Sequence, residues 1–391
     1  MSRLKEKNFD TVIIGAGAAG LMCASVAASL GKSVCILEHN KEAGRKILIS
    51  GGGRCNFTNI NGNFNDYVSQ RKNFHKYVFS NYSANEFVSL IENYNVEYFE
   101  KKLGQLFCKT SSKEIVRVLL SECQKNKVQI FYEFKNLKVE KRENGTFVIE
   151  NNEYQISSDN LVVASGGLSI EKIGASNIGY KIAEQFDHRV TPLRPALVSL
   201  NYEGLSELSG ISLIAKVKTK KNEILEDILI THKGFSGPAI LKISLFLEEN
   251  SIVKIDFLPG KKCEDLFKNK SLSLNKVLGE DLPKKFIQYF CLKHGIDPKK
   301  KLIEIAKKKI NSFIQDIHHF HFSPNGTGGF NRAEVTLGGV ETSQVDSRTL
   351  ESKNIAGLYF IGEVLDVTGQ LGGHNFQWAW ASGYACGNAI R

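Results

Sequence analysis

The feature that most constrains this chain is a short string near its start, Gly15-Ala16-Gly17-Ala18-Ala19-Gly20. It follows Thr11-Val12-Ile13-Ile14, an unbroken apolar run suited to a strand buried on both faces. It opens Ala18 to Leu30, an alanine-rich stretch suited to a helix packed tightly on a sheet. Ser33 to Leu37 then reads as a second parallel strand, ending at Glu38. Strand, G-x-G-x-x-G turn, helix, strand and acidic residue together make the βαβ unit of a dinucleotide site. Gly15 permits the tight turn, Gly17 lets backbone approach a pyrophosphate, and Gly20 lets helix and strand pack closely. The helix N-terminus offers free N–H groups and a positive dipole end to phosphates. Glu38 would accept hydrogen bonds from a ribose and would repel a 2′-phosphate. The apolar run from Val12 to Leu30 is nearly long enough to span a membrane. Asp10 and Lys32 flank it and glycines interrupt it, so no membrane partner is expected.

Beyond this unit the chain of 391 residues has room for two or three domains. Ser111 and Glu114 form an S-x-x-E capping box before the periodic run Ile115 to Cys123, which predicts a helix starting there. Val128 to Tyr132, Leu137 to Lys141, Thr146 to Glu150 and Leu161 to Ala164 read as strands, with Gly145 supplying a hairpin turn. After His188 the composition shifts. Pro192 and Pro195 interrupt the chain, and strand-like segments follow at Leu197 to Leu200, Ile214 to Thr219, Ile224 to Ile230 and Ile252 to Leu258. From Lys261 to Phe313 the pattern is helical, and alternation returns from Ile314 to Phe322. The last sixty or so residues regain a Gly-rich, apolar α/β character.

Net charge is +10, with lysines clustered at 261–262, 284–285, 299–301 and 307–309. A basic face can bind nucleic acid or anionic lipid. No nucleic-acid motif or interleaved aromatic platform accompanies these lysines, and a solvated helix face accounts for them. Nucleic acid is therefore not an expected partner. The eight cysteines form no C-x-x-C pair, which excludes a zinc ribbon and a dithiol redox motif. With no signal peptide in view, a cytoplasmic location is expected.

The choice of dinucleotide turns on Gly44-Arg45-Lys46 and the stretch Ser50-Gly51-Gly52-Gly53-Arg54-Cys55-Asn56-Phe57-Thr58-Asn59. Three successive glycines permit positive φ and close backbone approach to a flat ring. Arg45 and Lys46 can neutralise phosphate, and Arg54 and Asn56 offer donors to polar ring edges. The string from Gly51 to Asn59 resembles the signature of a family of bacterial FAD-dependent oxidoreductases, the type that includes aminoacetone oxidase and flavin-dependent bile-acid dehydro-reductases. Three further stretches are similar to that family: Thr231 to Ala239, Ala333 to Val340, and Gly357 to Gly383 with its Gly372-Gly373-His374-Asn375-Phe376-Gln377-Trp378-Ala379-Trp380.

The resemblance implies FAD as cofactor and an α/β fold. A two-part Rossmann-like FAD-binding domain would span residues 1–190 and 332–391. An inserted β-barrel-like domain would span 191–260 and 314–331, and a small helical domain 261–313. Candidate FAD contacts are Gly15 to Gly20 with Ala16, Ala18 and Ala19 included, Glu38, His39, Arg45, Lys46, Ser50, Gly51, Gly52, Gly53, Arg54, Cys55, Asn56, Val139, Ala164, Ser165, Gly166, Gly362, Glu363, Asp366, Gly373, Asn375 and Phe376. Asp366 would hold a ribityl hydroxyl. The Gly372-Gly373 turn would lead into a helix whose positive end faces the flavin and stabilises its anionic reduced form. The chain departs from the family at Ser165 to Gly174, which lacks a proline. It departs again at Asn177-Ile178 in place of Gly-Asp, at His374 in place of tyrosine, and at Thr368 in place of an acid. Glu171 to Ile178 is expected near the flavin or the substrate entrance.

Several residues admit two readings. Cys55 is either a redox thiol or a packing residue. His318, His319 and His321 have no carboxylate at ligand spacing, so no metal is expected. Trp378 and Trp380 suit either a substrate pocket or the core, and His232 is a candidate acid or base. No catalytic residue is assigned. One Rossmann fingerprint is present, without the second that a glutathione-reductase-like enzyme would carry. The function expected is an FAD-dependent oxidoreductase acting on a small organic molecule. Either the substrate reduces the flavin and O2 reoxidises it, or NAD(P)H reduces the flavin, which then reduces an activated double bond. The rivals are a flavin-bearing sensor that uses the basic middle region, and an FAD enzyme that modifies RNA. Oligomeric state is left open.

Overall fold

The apolar run near the N-terminus is the inner half of a longer strand, Lys5–Ile14, whose first residues are exposed and whose last four are buried. It pairs in parallel with Val34–Leu37 on one side and Tyr154–Val163 on the other. Gln129–Phe131 extends the sheet beyond Val34–Leu37, also in parallel. Leu358–Phe360 pairs in parallel with the end of Tyr154–Val163. Phe147–Glu150 and Lys138–Lys141 add antiparallel strands. The sheet is seven-stranded. Where the parallel strands are buried, at Val12–Ile14, Val34–Leu37, Leu161–Val163 and Leu358–Phe360, they are short continuous apolar runs.

The computed structural model describes residues 4–248, 250–261 and 267–390, so Lys262 and Cys263 lie outside the described residues. The chain divides into two units, Met1–Arg194 with Val335–Arg391, and Pro195–Glu334. In the first unit the helix Ala18–Ser29 packs against the terminal helix His374–Ala389. Small residues let them approach: a Cβ on Gly383 would fall 2.6 Å from Ala19 O, and one on Gly387 2.7 Å from Val26 Cβ. The helix Lys113–Lys125 starts one residue later than the capping box implies, with Ser112 at its N-cap. The box does not close. Ser111 Oγ accepts from Lys113 N, and Glu114 pairs instead with Arg117 at 2.8 Å, one turn along the exposed face.

The second unit is built on an antiparallel sheet in the order Leu200–Asn201, Gly234–Ser236, Glu223–Thr231, Ser212–Lys218, Val253–Asp256, Phe320–Phe322. Tyr202, beside the first strand, meets Phe320 and Phe322 of the last at ring distances of 5.7 and 5.1 Å. The sheet therefore curls until its ends share one aromatic interior. The helices Leu274–Leu278, Lys284–Lys293 and Lys307–His318 cover it. Phe257 of the sheet part stacks among Phe286 and Phe290 of the helical part, so the two share one core. The alternation expected from Ile314 begins only at Phe320, because Phe313 and Ile317 are buried one turn apart on a continuing helix. His318 closes that helix and pairs with Asp256 at 2.9 Å.

Candidate functional site

The first unit holds a cavity of about 490 Å³ at the carboxyl ends of its parallel strands, lined by Gly15 to Ala19, Glu38 to Asn40, Arg45, Lys46, Phe134 to Leu137, Ala164 to Gly167 and Gly362-Glu363. Such a crevice is where open α/β sheets place their ligands. Gly15 has φ +108°, and a Cβ there would strike Ala164 O at 2.6 Å. Gly20 is tighter still, with Gly15 O at 2.0 Å from its would-be Cβ. Gly17 is different: nothing lies within 4 Å of its Cβ position, and it lines the cavity. It is the N-cap of Ala18–Ser29 and makes no side-chain cap, so the first N–H groups of that helix have no intrahelical or cap partner. That is the cradle a pyrophosphate needs.

Glu38 is buried, 5% exposed. Its Oε2 accepts from Ala16 N at 2.8 Å, and its Oε1 accepts from Asn40 N and Asn40 Nδ2, each at 2.8 Å. The carboxylate thus locks the glycine turn to the end of the second strand, with lone pairs left for a ribose. Arg45 donates to Asn40 Oδ1 at 2.9 Å.

A second charged node lies along the same cavity. Lys46 Nζ meets Glu363 Oε2 at 2.6 Å, and Thr336 N donates to Glu363 Oε1 at 2.9 Å. Thr336 Oγ1 in turn accepts from Leu168 N at 2.8 Å. These bonds seat the loop after Ala164 against the cavity. A Cβ on Gly167 would lie 2.6 Å from Thr336 Oγ1, and one on Gly174 would lie 2.5 Å from His39 Nε2. Between them Ile170 adopts φ 67°, a costly conformation for a β-branched residue. The proline-free segment singled out in the sequence therefore lines the site through Ile173 to Ser176.

The glycine loop Ser50–Gly53 turns through three left-handed residues, with φ of 56°, 66° and 81°. The strand Asn56–Asn59 follows, and its side chains grip the start of the terminal helix. Asn56 Oδ1 accepts from Gly373 N at 3.1 Å, and Asn59 Nδ2 donates to Gly372 O at 3.0 Å. Thr58 Oγ1 donates to Gln377 Oε1 at 2.7 Å, and Trp380 Nε1 donates to Phe57 O at 2.8 Å. The two signature strings are thus bonded residue to residue. Gly373 has φ 94° and carries no side-chain cap.

Of the candidate contacts, Gly15 to Ala19, Glu38, His39, Arg45, Lys46, Ala164, Ser165, Gly166, Gly362 and Glu363 line the cavity. Gly20 packs beneath it. Ser50 to Asn56, Val139, Asp366, Gly373, Asn375 and Phe376 do not line it. Asp366 is buried and accepts from Gln70 N at 3.1 Å, while the acidic residue of this stretch that lines the cavity is Glu363, three residues earlier. Asn375 closes its own turn, bonding Gly369 N and O at 2.8 Å each. Cys55 is buried, and desolvation pushes its thiol well up, so it stays protonated. Trp378 and Trp380 are core residues, with Trp378 Nε1 donating to Gly362 O at 2.9 Å. His232 is exposed in the hairpin after Thr231 in the second unit. Sequence reasoning missed Asn40 and Lys135 to Leu137 on the cavity wall. The signal for the last was a turn just before a strand.

A Rossmann turn, a buried ribose-type carboxylate and a cavity walled by both chain ends define a dinucleotide-dependent oxidoreductase. Residues 9–389 match the family model described as HI0933-like protein Rossmann domain, and the chain belongs to this family. FAD is its cofactor. The chain is 43% identical over 394 residues to a ribosomal RNA dihydrouridine synthase of Haemophilus influenzae, covering 97% of this chain and 98% of the relative. It is 40% identical over 391 residues to a protein of the same name from Escherichia coli, covering 97% of each. A 3-dehydro-bile acid delta(4,6)-reductase of Clostridium scindens is 31% identical over 409 residues, covering 96% of this chain and 98% of that one.

Proposed function

We propose that this flavin-dependent oxidoreductase reduces the C5–C6 double bond of a uridine in ribosomal RNA, with a nicotinamide nucleotide as electron donor. The observation that carries the reading is the near-full-length identity to two proteins of that name. Uracil C5–C6 is conjugated to the C4 carbonyl, so it is an activated double bond. The name of the bile-acid relative also describes reduction of carbon–carbon double bonds. The reductase version of the flavin chemistry is thereby favoured over the oxidase version.

When bound, FAD would supply hydride-transfer chemistry between a nicotinamide nucleotide and C6 of the uracil, with the proton at C5 drawn from solvent. The residues of the chain bind and orient. Gly17 and the first turn of Ala18–Ser29 would hold the pyrophosphate, and Glu38 the adenosine ribose. Glu363, held by Lys46 and Thr336 N, would accept from a ribityl hydroxyl in the role assigned to Asp366 from sequence. The Gly372-Gly373 turn and the positive end of the helix after it would stabilise negative charge on the reduced ring.

The test is purified FAD-loaded protein with NADH or NADPH and ribosomal RNA lacking the modification, followed by nucleoside mass spectrometry. Dihydrouridine should appear only with protein and nucleotide both present. Reduction of a steroid enone with no dihydrouridine in the RNA would overturn the assignment.

A further inference from the structure

We propose that the exposed lysines at 270, 276, 299–301, 307 and 308 of the second unit form a docking surface for the phosphate backbone of RNA. This deepens the ribosomal RNA reading and rests on it. The segment 261–313 holds fourteen lysines against six acidic residues, a net of +8 out of the chain's +10. The other 338 residues are thus nearly neutral.

The fold does not require this charge. Leu274, Leu278, Phe286, Phe290 and Phe313 are buried, while the described lysines of the segment are exposed. Backbone bonds from Asn275 N to Pro298 O (3.2 Å), Leu302 N to Leu272 O (2.9 Å) and Ile303 N to Lys270 O (3.0 Å) lay residues 270–276 beside 298–303. That pairing brings Lys270 and Lys276 next to Lys299, Lys300 and Lys301. The helix Lys307–His318 then starts with three more lysines in its first turn. There they face the positive end of the helix dipole, where acidic residues would stabilise the helix. Lys299, Lys300, Lys301, Lys307 and Lys308 form no ion pair with any described residue. In the sheet part of the same unit, by contrast, Lys242 pairs with Glu226 and Lys218 with Glu223.

Uncompensated, clustered and exposed charge of one sign is the complement of a polyphosphate backbone. No aromatic side chain is exposed among the described residues of the segment. Base stacking is therefore not its mode of contact, and the surface grips RNA without reading sequence.

The test uses the full FAD-loaded chain carrying K299Q, K300Q, K301Q, K307Q and K308Q. Its affinity for a ribosomal RNA transcript is measured by fluorescence anisotropy over a range of salt. Losing five phosphate contacts should reduce the slope of log K against log salt by about 3.5 to 4.5. The KM for RNA in dihydrouridine formation should rise, with FAD content unchanged. Glutamine at Lys7, Lys109, Lys113, Lys125 and Lys127, exposed on the first unit, should leave the slope as it was. An equal slope in the 299–308 variant and wild type overturns the proposal. So does retention on phosphatidylserine vesicles that the 299–308 changes abolish while RNA binding persists. Binding and conversion are read separately: wild-type protein that binds RNA with the lysine-dependent slope but makes no dihydrouridine overturns the reaction, not the docking surface.

Discussion

Glu38→Gln separates the two things this carboxylate does. Its oxygens accept from Ala16 N, Asn40 N and Asn40 Nδ2, all at 2.8 Å, in a nearly buried setting. An amide has one oxygen. Whichever way it turns, one face presents N–H groups to a backbone N–H that held a carboxylate. A lost charge-assisted hydrogen bond costs about 1.5–3 kcal/mol. At roughly 2–4 °C per kcal/mol for a unit of this size, the melting temperature of the apoprotein should drop by about 3–12 °C. The same change removes the charged acceptor for the adenosine ribose. A further loss of about 1.5–3 kcal/mol in the bound state weakens FAD by roughly 10- to 150-fold. The assay is FAD titration followed by flavin fluorescence, beside thermal melts of apo and holo protein. The reasoning fails if the apoprotein melts lower while FAD binds as in wild type. Glu38 would then be only a brace for the Gly15–Gly17 turn, and the cofactor would lie elsewhere in the cavity.

Other consequences follow from the packing and the buried titratable groups. Gly383→Ala puts a methyl 2.6 Å from Ala19 O and 2.9 Å from Met22 Cβ, so it should cost about 1–3 kcal/mol in chemical denaturation; an unchanged midpoint would mean the helices are not in van der Waals register. His188 is held neutral, with Nδ1 donating to Phe186 O at 2.8 Å and Nε2 accepting from Ser352 Oγ at 2.8 Å, and burial lowers its pKa. The unfolded ring binds its proton near pH 6.5, so stability should fall as pH drops below about 6.5, by up to about 1.4 kcal/mol per pH unit, until the folded pKa is reached. His188→Gln should start less stable at neutral pH but show a shallower acid-side fall; parallel curves would refute the linkage. Because desolvation keeps the Cys55 thiol protonated, Cys55→Ala should leave the flavin absorbance bands unchanged, and loss of a long-wavelength band on substitution would refute the packing role.

The βαβ unit was legible because each of its parts obeys a local rule. The strand is apolar throughout, the turn needs glycine for steric reasons, and the acid ends the next strand. The acid of the C-terminal stretch that lines the cavity was harder to place. Asp366 and Glu363 are both acidic, and only tertiary structure shows which one meets the cavity. Asp366 is engaged by Gln70 N, while Glu363 is drawn to Lys46, 317 residues away in sequence. Ile314 to Phe322 misled because a helix ending and a short strand abut there, and the two periods overlap over a few residues. The lysines were read as a solvated face because no nucleic-acid motif or aromatic platform accompanies them. Their density within 53 residues is visible in the sequence, but their pairing is not: Lys261 pairs with Asp281 and Lys293 with Asp316, whereas Lys299 to Lys301, Lys307 and Lys308 form no ion pair with any described residue.

The glycine-rich signature carries a further lesson about how motif residues divide their labour. Asn56, Asn59 and Asn375 look like ready donors and acceptors for a polar ring. In the fold each is already satisfied by backbone: Asn56 by Gly373 N and Leu106 O, Asn59 by Gly372 O, Asn375 by Gly369. A buried amide left to wait for a ligand would cost the apoprotein about 1–3 kcal/mol. Using these side chains to build the Gly372-Gly373 turn avoids that cost. It also fixes the turn rigidly, which is what electrostatic stabilisation of a reduced ring requires. Ring contacts would then fall to groups that cost nothing when empty, such as glycine surfaces. The asparagines of the signature strings thus build the turn, while Gly362 and Glu363 of the same C-terminal string line the cavity.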